Sequence, residues 1–509
     1  MMPTARTESD PLKSKNLADN LAKLTDSLGH SPDIIVRKFT PLSIQAEIAA
    51  VFMEGLVEQE LVEDFLKDMM VFERFPDTQP SSVEAMFDLM KHKTRGVGEK
   101  NCLKEWNHLF EALLSGSTVI LVDGISEALS SNTSGGEVRT VTEATTQVSI
   151  RGPKESFTES LGTNLSLVRR KIKSPNLWVE SMKIGDVTQT EVSIMYMHGI
   201  VNEDILAELR KKLQAIHVDA ILESGYIEQL IEENVYSPLP TLFNTERPDS
   251  VAGNLLEGRI AIFVDGTPFV LIAPTTFFMF FHAVEDYYQR FDISTLIRIL
   301  RLICLMISLF GPAVFVATLT FHQEMIPTSL LINLASQREG VPFPTFIEAV
   351  IMELTFEIIR EAGIRMPSPI GQTVSIIGGL VLGQAAVQAG IVSPAMVIVV
   401  SLTGISSFTT PAFNMALSVR VLRFIIMFIA AFMGLYGITI FMFILIAHMC
   451  SLRSLGFPFM SPFGPFIAEN QKDTLLRVPL NRMRKRPRLV SQKNKIRLET
   501  EGDSRGDRQ

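Results

Sequence analysis

Glu353, Glu357, Arg360 and Glu361 fall on one side of a helix at about 100° per residue, with Ile347, Ile351, Leu354, Ile358 and Ile359 on the other. Glu348 is the exception, an acid on the apolar side. Carboxylates repeated along one stripe suit the concentration of cations rather than bond chemistry. Arranged around an axis by several copies, they form the charged ring that lines a cation pore. A helix lying on a membrane surface, with a wet face and an internal Glu357–Arg360 pair, fits the same pattern. Gln384 and Gln388 share a face further on, in an otherwise apolar run. Amides set in lipid point at a neighbouring helix or at water, so both join the candidate ion path.

Catalytic constellations are missing by comparison. No nucleophile stands with a base, and there is no P-loop, no glycine fingerprint after a strand and no His–Glu metal spacing. Neither an enzyme, a cofactor nor a metal is expected. His198 and His217 are isolated, and Asp123 and Asp265 each precede a glycine in a way that favours a turn.

The elements that must position the stripe are membrane elements. From Met366 to Val419 there is no charged residue and no histidine, room for two passes of about 20 residues each. Ser375, Gly379 and Gly383 recur at spacing four, with Gly378, Ala386 and Gly390 nearby. Glycine costs up to about 1 kcal/mol per position in an ordinary helix, whereas in lipid small residues let helix backbones approach closely. Ser375, Gly379, Gly383, Ala386 and Gly390 are therefore expected at helix contacts, either in plain packing or around a water-filled path. Spans are expected at about 302–321, 370–391, 393–413 and 424–447, with an amphipathic helix at 345–362 that is no obvious span. Pro312 should kink the first, while Arg420 and Arg423 sit uneasily just before the last. An even number of spans leaves both ends on one side, and the basic tail makes that side cytoplasmic.

The soluble half repeats itself. Phe52-Met-Glu-Gly55-Leu-Val-Glu resembles Tyr196-Met-His-Gly199-Ile-Val-Asn, and Leu113 to Gly124 resembles Leu255 to Gly266. The offsets, 144 and 142, are nearly equal, so two related α/β subdomains are expected at 35–160 and 161–290. A mobile polar leader (1–34) precedes them; a membrane domain (291–470) and a basic cytoplasmic tail (471–509) follow. Arg169, Arg170, Lys171 and Lys173 read as a solvated helix face near the membrane, with anion binding as the alternative. Net charge is −8, yet ten of the residues from Lys472 to Arg497 are Lys or Arg and one is acidic. A basic tail without a folded basic face suits membrane lipid and excludes nucleic acid. Cys102, Cys304 and Cys450 form neither a disulfide framework nor a metal spacing. The polar N-terminus has no signal-peptide core.

The runs REGVPFPTFIEAVIMELTFEIIREAGIRMP and IIGGLVLGQAAVQAGIVSPAMVIVVSLTGISSF, with HQEMIPTSLL and RGPKESFTESLGTNLSLVRRKIKSPNL, resemble the A subunit of GerA-type spore germinant receptors. The resemblance covers about 35–470. It implies a multi-pass protein of the spore inner membrane that works with a transporter-like, nutrient-sensing B subunit and a lipoprotein C subunit. It also implies a homo-oligomeric, ring-shaped ion channel without catalytic residues. An accessory paralogue of the same family shares the motifs, and a non-conducting scaffold that clusters receptors in the membrane is the alternative to the channel.

Overall fold

The structure is a computed structural model and describes residues 10–40, 46–70, 82–92, 100–135, 143–144, 146–365, 382–483, 485–487, 490, 494 and 496–497. The first sheet contains β1 (Ile34–Phe39), β2 (Ile48–Met53), β3 (Lys100–Leu103), β4 (Ser117–Val122) and β5 (Ala128–Asn132), in the order β1-β2-β4-β5-β3. The second contains β6 (Leu177–Ile184), β7 (Thr190–Met197), β8 (Phe243–Thr245), β9 (Ile260–Val264) and β10 (Val270–Ala273), in the order β6-β7-β9-β10-β8. The two orders are one pattern, and both sheets are antiparallel.

Helices α1 (Leu17–Ser27), α2 (Gln59–Met70), α3 (Val83–His92) and α4 (Trp106–Leu114) flank the first sheet. Helices α5 (Leu161–Lys171), α6 (Glu203–Gln214), α7 (Ser224–Ile231) and α8 (Pro248–Leu256) flank the second. In β2, Ile48, Ala50 and Phe52 pack under α2 and α3, while Ala49 and Val51 pack under α1 and α4. The period of two thus feeds both faces, and a strand covered on both sides reads as one continuous apolar run.

The duplication reaches further than the sequence match. Leu17 N donates to Asp123 Oδ1 (3.0 Å) and Leu161 N donates to Asp265 Oδ1 (3.2 Å). Each aspartate takes an orphan donor from the first turn of a helix, so its role is structural. Gly55 and Gly199 take φ of +76° and +77°, a conformation that a Cβ disfavours; this is why the visible similarity concentrates there.

Two expectations change. Part of the leader is folded: Leu17, Leu21 and Leu24 of α1 are buried against β2 and β4, where α1 stands as α5 does in the second unit. Residues 1–9 lie outside the described residues. The basic helix face is not solvated throughout either. Arg169 is 1% exposed and donates to both carboxylate oxygens of Asp33 (2.7 and 3.0 Å), joining the two units.

The C-terminal half is helical: α9 (Glu285–Tyr288), α10 (Phe291–Thr320), α11 (Thr328–Arg338), α12 (Thr345–Arg365), α13 (Gly383–Gln388), α14 (Pro394–Ser407) and α15 (Phe413–Ser451). Its core is continuous with that of the second sheet through Phe280, Phe281 and Phe459. Arg298 pairs with Asp286 (3.0 Å) and Asp473 (2.9 Å), which fixes the start of α10 to the soluble half and to the tail. α10 runs through Pro312 as one helix.

The expected last span, 424–447, is replaced by a fold-back. A straight α15 would separate Asn414 from His448 by about 51 Å. Yet Asn414 reaches Glu228 (3.4 Å) and His448 reaches Ser237 (2.9 Å). Glu228 and Ser237 are so close in sequence that even extended chain puts them about 32 Å apart at most. The reversal is at Gly434, whose φ is +59°. A Cβ on Gly437 would come within 2.7 Å of Ile429 Cγ2, which only two antiparallel arms, 413–433 and 435–451, allow. The expected span 393–413 is realised as the shorter α14 and a loop. Most of 370–391, including Ser375, Gly378 and Gly379, lies outside the described residues.

Candidate functional site

α12 is the centre of the helical half. It is antiparallel to the first arm of α15, since Phe346 packs on Phe428 while Glu357 faces Arg420. It is parallel to α14, since Glu348 meets Ser393 and Arg360 meets Ser407. Its 21 residues rise about 31 Å, close to the thickness of a bilayer core.

The polar stripe faces inward. Glu353 is fully buried, and its Oε2 accepts from Arg423 Nη1 at 2.7 Å. Arg423 is itself buried and also donates from Nε to the Ser308 carbonyl (2.7 Å) and from Nη2 to the Ser308 hydroxyl (2.9 Å). Glu357 stands 3.5 Å from Arg360 Nη1 and 3.5 Å from Arg420 Nη1. Arg360 donates to Ser407 Oγ (2.8 Å) and lies over the rings of Phe356 (4.7 Å) and Phe408 (4.8 Å). Glu357 Oε1, Arg360 Nε and Arg420 Nε are buried and make no hydrogen bond. Glu348, the apparent blemish, is also fully buried; its Oε1 accepts from Ser393 N and from Ser393 Oγ.

The apolar face looks outward instead. Leu354 is 55% exposed and Ile358 62%, with Ile347 and Ile364 beside them. A water-facing amphipathic helix shows the opposite arrangement; Glu353 and Glu357 face into the bundle instead of onto an open stripe, and the expected Glu357–Arg360 pair is present. Burying a charge in isolation is very costly, and pairing with hydrogen bonds is what makes it tolerable. Sequence periodicity located the stripe but not its partners, because Arg423 lies 70 positions from Glu353.

The remaining candidates separate. Glu361 stays exposed and pairs with Arg365 at 2.6 Å. Gln384 and Gln388 are exposed on α13, on the rim of the bundle rather than in the ion-pair cluster. Gly383 packs near Val397, and Gly390 takes φ of +67° with Gly340 O 3.1 Å from where a Cβ would stand. Ala386 is half-buried. Close approaches that sequence reasoning missed are those of Gly404, where a Cβ would collide with Phe356 (2.4 Å), and Gly311, where it would meet Thr403 Oγ1 (3.1 Å). Among the described residues no group of acids, histidines and cysteines is placed to hold a metal.

Comparison with known proteins shows the family. A family model described as Bacillus/Clostridium GerA spore germination protein matches residues 22–489. The chain is 52% identical to Spore germination protein KA of Bacillus subtilis, over 96% of this chain and 89% of that protein. It is 38% identical to Spore germination protein GerLA of Bacillus cereus, over 94% of this chain and 96% of the relative. A crystal structure of the N-terminal domain of the A subunit of the Bacillus megaterium spore germinant receptor GerK3 aligns with 53% of this chain and 99% of that one, at 43% identity and a TM-score of 0.41. The match across nearly the whole chain, together with these identities, places the protein in the GerA family of spore germination proteins.

Proposed function

We propose that the chain is the A subunit of a nutrient germinant receptor, a multi-pass protein of the spore inner membrane with its N-terminal half in the cytoplasm. It acts without catalysis, beside a transporter-like B subunit and a lipoprotein C subunit. Copies of the chain assemble so that the segment carrying Gln384 and Gln388 lines a gated path for cations. The observation that carries the reading is the inverted α12: its charges are paired inside the bundle and its leucine and isoleucine side chains face out, as in a helix surrounded by lipid. Helix α10 is long and apolar enough to cross a membrane, and the two arms of α15 are apolar over most of their length. The exposed amides of Gln384 and Gln388 need water or a neighbouring subunit once lipid surrounds the bundle.

A non-conducting scaffold is favoured by one feature. Glu353 and Glu357 are neutralised within the chain by Arg423, Arg420 and Arg360, which leaves Glu361 as the exposed acid of the stripe. Germinant-triggered potassium release separates the two readings. Gln384→Leu combined with Gln388→Leu, at normal protein abundance, is expected to slow release strongly. Unchanged release from that variant and from Glu357→Gln combined with Glu361→Gln would leave the scaffold.

A further inference from the structure

Two adjoining cavities of about 260 Å³ and about 200 Å³ open where the end of α8 and the start of β9 meet the segment before α10 and the C-terminal tail. Glu257 and Arg497 line both. Arg259 reaches into the larger one and is 8% exposed, with no hydrogen bond at Nε. Its Nη1 meets the sulfur of Met279, a weak acceptor, and its Nη2 stands 3.8 Å from Glu257 Oε2. A buried guanidinium with five donors and so few acceptors is costly on its own.

The fold does not require these charges. The internal repeat puts Ser115 and Ser117 at the positions of Glu257 and Arg259, at the same offset of 142 as the neighbouring glycines. The two sheets have the same strand order, so the serines serve one copy and the charges belong to the other for a separate reason.

The facing wall is basic. Lys472, Arg482 and Lys485 line the smaller cavity. The acids Asp249 and Asp473, also in the walls, are already held by Arg247 (2.7 Å) and Arg298 (2.9 Å). The tail is held over the site by Arg486, whose Nε donates to Leu256 O (2.9 Å), and by Arg477 N, which donates to Thr295 Oγ1 of α10 (3.1 Å).

We propose that these cavities form a binding site for a phosphate-bearing anion, with Arg259 at its floor and Lys472 and Arg482 at its mouth. A phosphate offers acceptors in several directions and suits a planar guanidinium together with lysine point charges; a single carboxylate would serve Arg259 without also reaching Lys472 and Arg482. The site touches the second sheet, the segment before α10 and the tail, so its occupancy holds the three together. The phosphate comes from a lipid headgroup or from solution.

The full-length chain in neutral detergent is melted with inorganic phosphate, and with chloride at the same ionic strength. A second series uses phosphatidylcholine nanodiscs with and without phosphatidylglycerol. Binding to the native state raises the melting midpoint in a saturable way. A rise with phosphate over chloride identifies a soluble ligand; a rise with phosphatidylglycerol alone identifies a lipid. Arg259→Ser, which installs the residue of the other copy, is expected to weaken the response at least about tenfold in apparent affinity. Lys472→Gln, at an exposed position, is expected to weaken it without touching the core, and decides the matter if the arginine variant fails to fold. No rise with either anion in the wild type, or an undiminished response in the variants that fold, overturns the proposal.

Discussion

Arg423 Nη1 lies 2.7 Å from Glu353 Oε2, with the two side chains 1% and 0% exposed. Through Ser308 the same guanidinium also grips α10, so one side chain ties α10, α12 and α15 together at mid-height. Removing one member strands the other charge, a loss of about 3–5 kcal/mol.

Arg423→Leu and Glu353→Leu are each expected to destabilise the detergent-solubilised protein by about 3–5 kcal/mol, and the double variant to recover much of the loss. Denaturant titration of the full cycle measures this. Strictly additive losses would mean that the two charges do not depend on one another.

The fold-back of α15 depends on Gly434. Its φ is +59°, and a Cβ there would lie 2.8 Å from His322 Cε1. Gly434→Ala is expected to cost about 1–3 kcal/mol from strain and crowding. Gly340→Ala, where nothing lies within 4 Å of a built Cβ, should melt close to wild type. Equal melting of the two variants would contradict the turn.

Asp123 and Asp265 do the same work in the two units, each accepting from the first residue of a helix. Asp123→Ala and Asp265→Ala should each cost about 1 kcal/mol, as lost helix-terminal acceptors do. Hydrogen exchange is expected to rise at the start of α1 in one variant and of α5 in the other. Unchanged protection there would remove the capping role.

Glu228 sits at the contact between α7 and the start of α15, 3.4 Å from Asn414. Burial, helped by Glu232, pushes its carboxyl from 4.5 up to about 7. The folded state then binds the proton more tightly than the unfolded chain. The stability this group contributes is complete below 4.5 and is lost as pH rises to about 7. Glu228→Gln should flatten that part of the stability profile, measured by thermal melts across pH. A wild-type slope in the variant would exclude Glu228 as its source.

The sequence by itself determined the duplication, the division into a soluble and an apolar half, and the family. Those features are local: positive-φ glycines and Asp-Gly turns recur at a fixed offset, and an uncharged run is visible at any point along its length. The acidic stripe of α12 was equally legible, because a period of 3.6 residues identifies faces.

Tertiary structure decided which face looks in. Periodicity marks two sides of a helix without saying which solvent each meets, and Glu353 turns inward because Arg423, 70 positions away, waits there. It also decided that α15 is two arms, since hydropathy measures apolar length and is blind to the reversal that one glycine at φ +59° permits. Helix α1 followed the same logic: it is half polar in sequence, and its leucines become core only because β2 and β4 present an open face to cover.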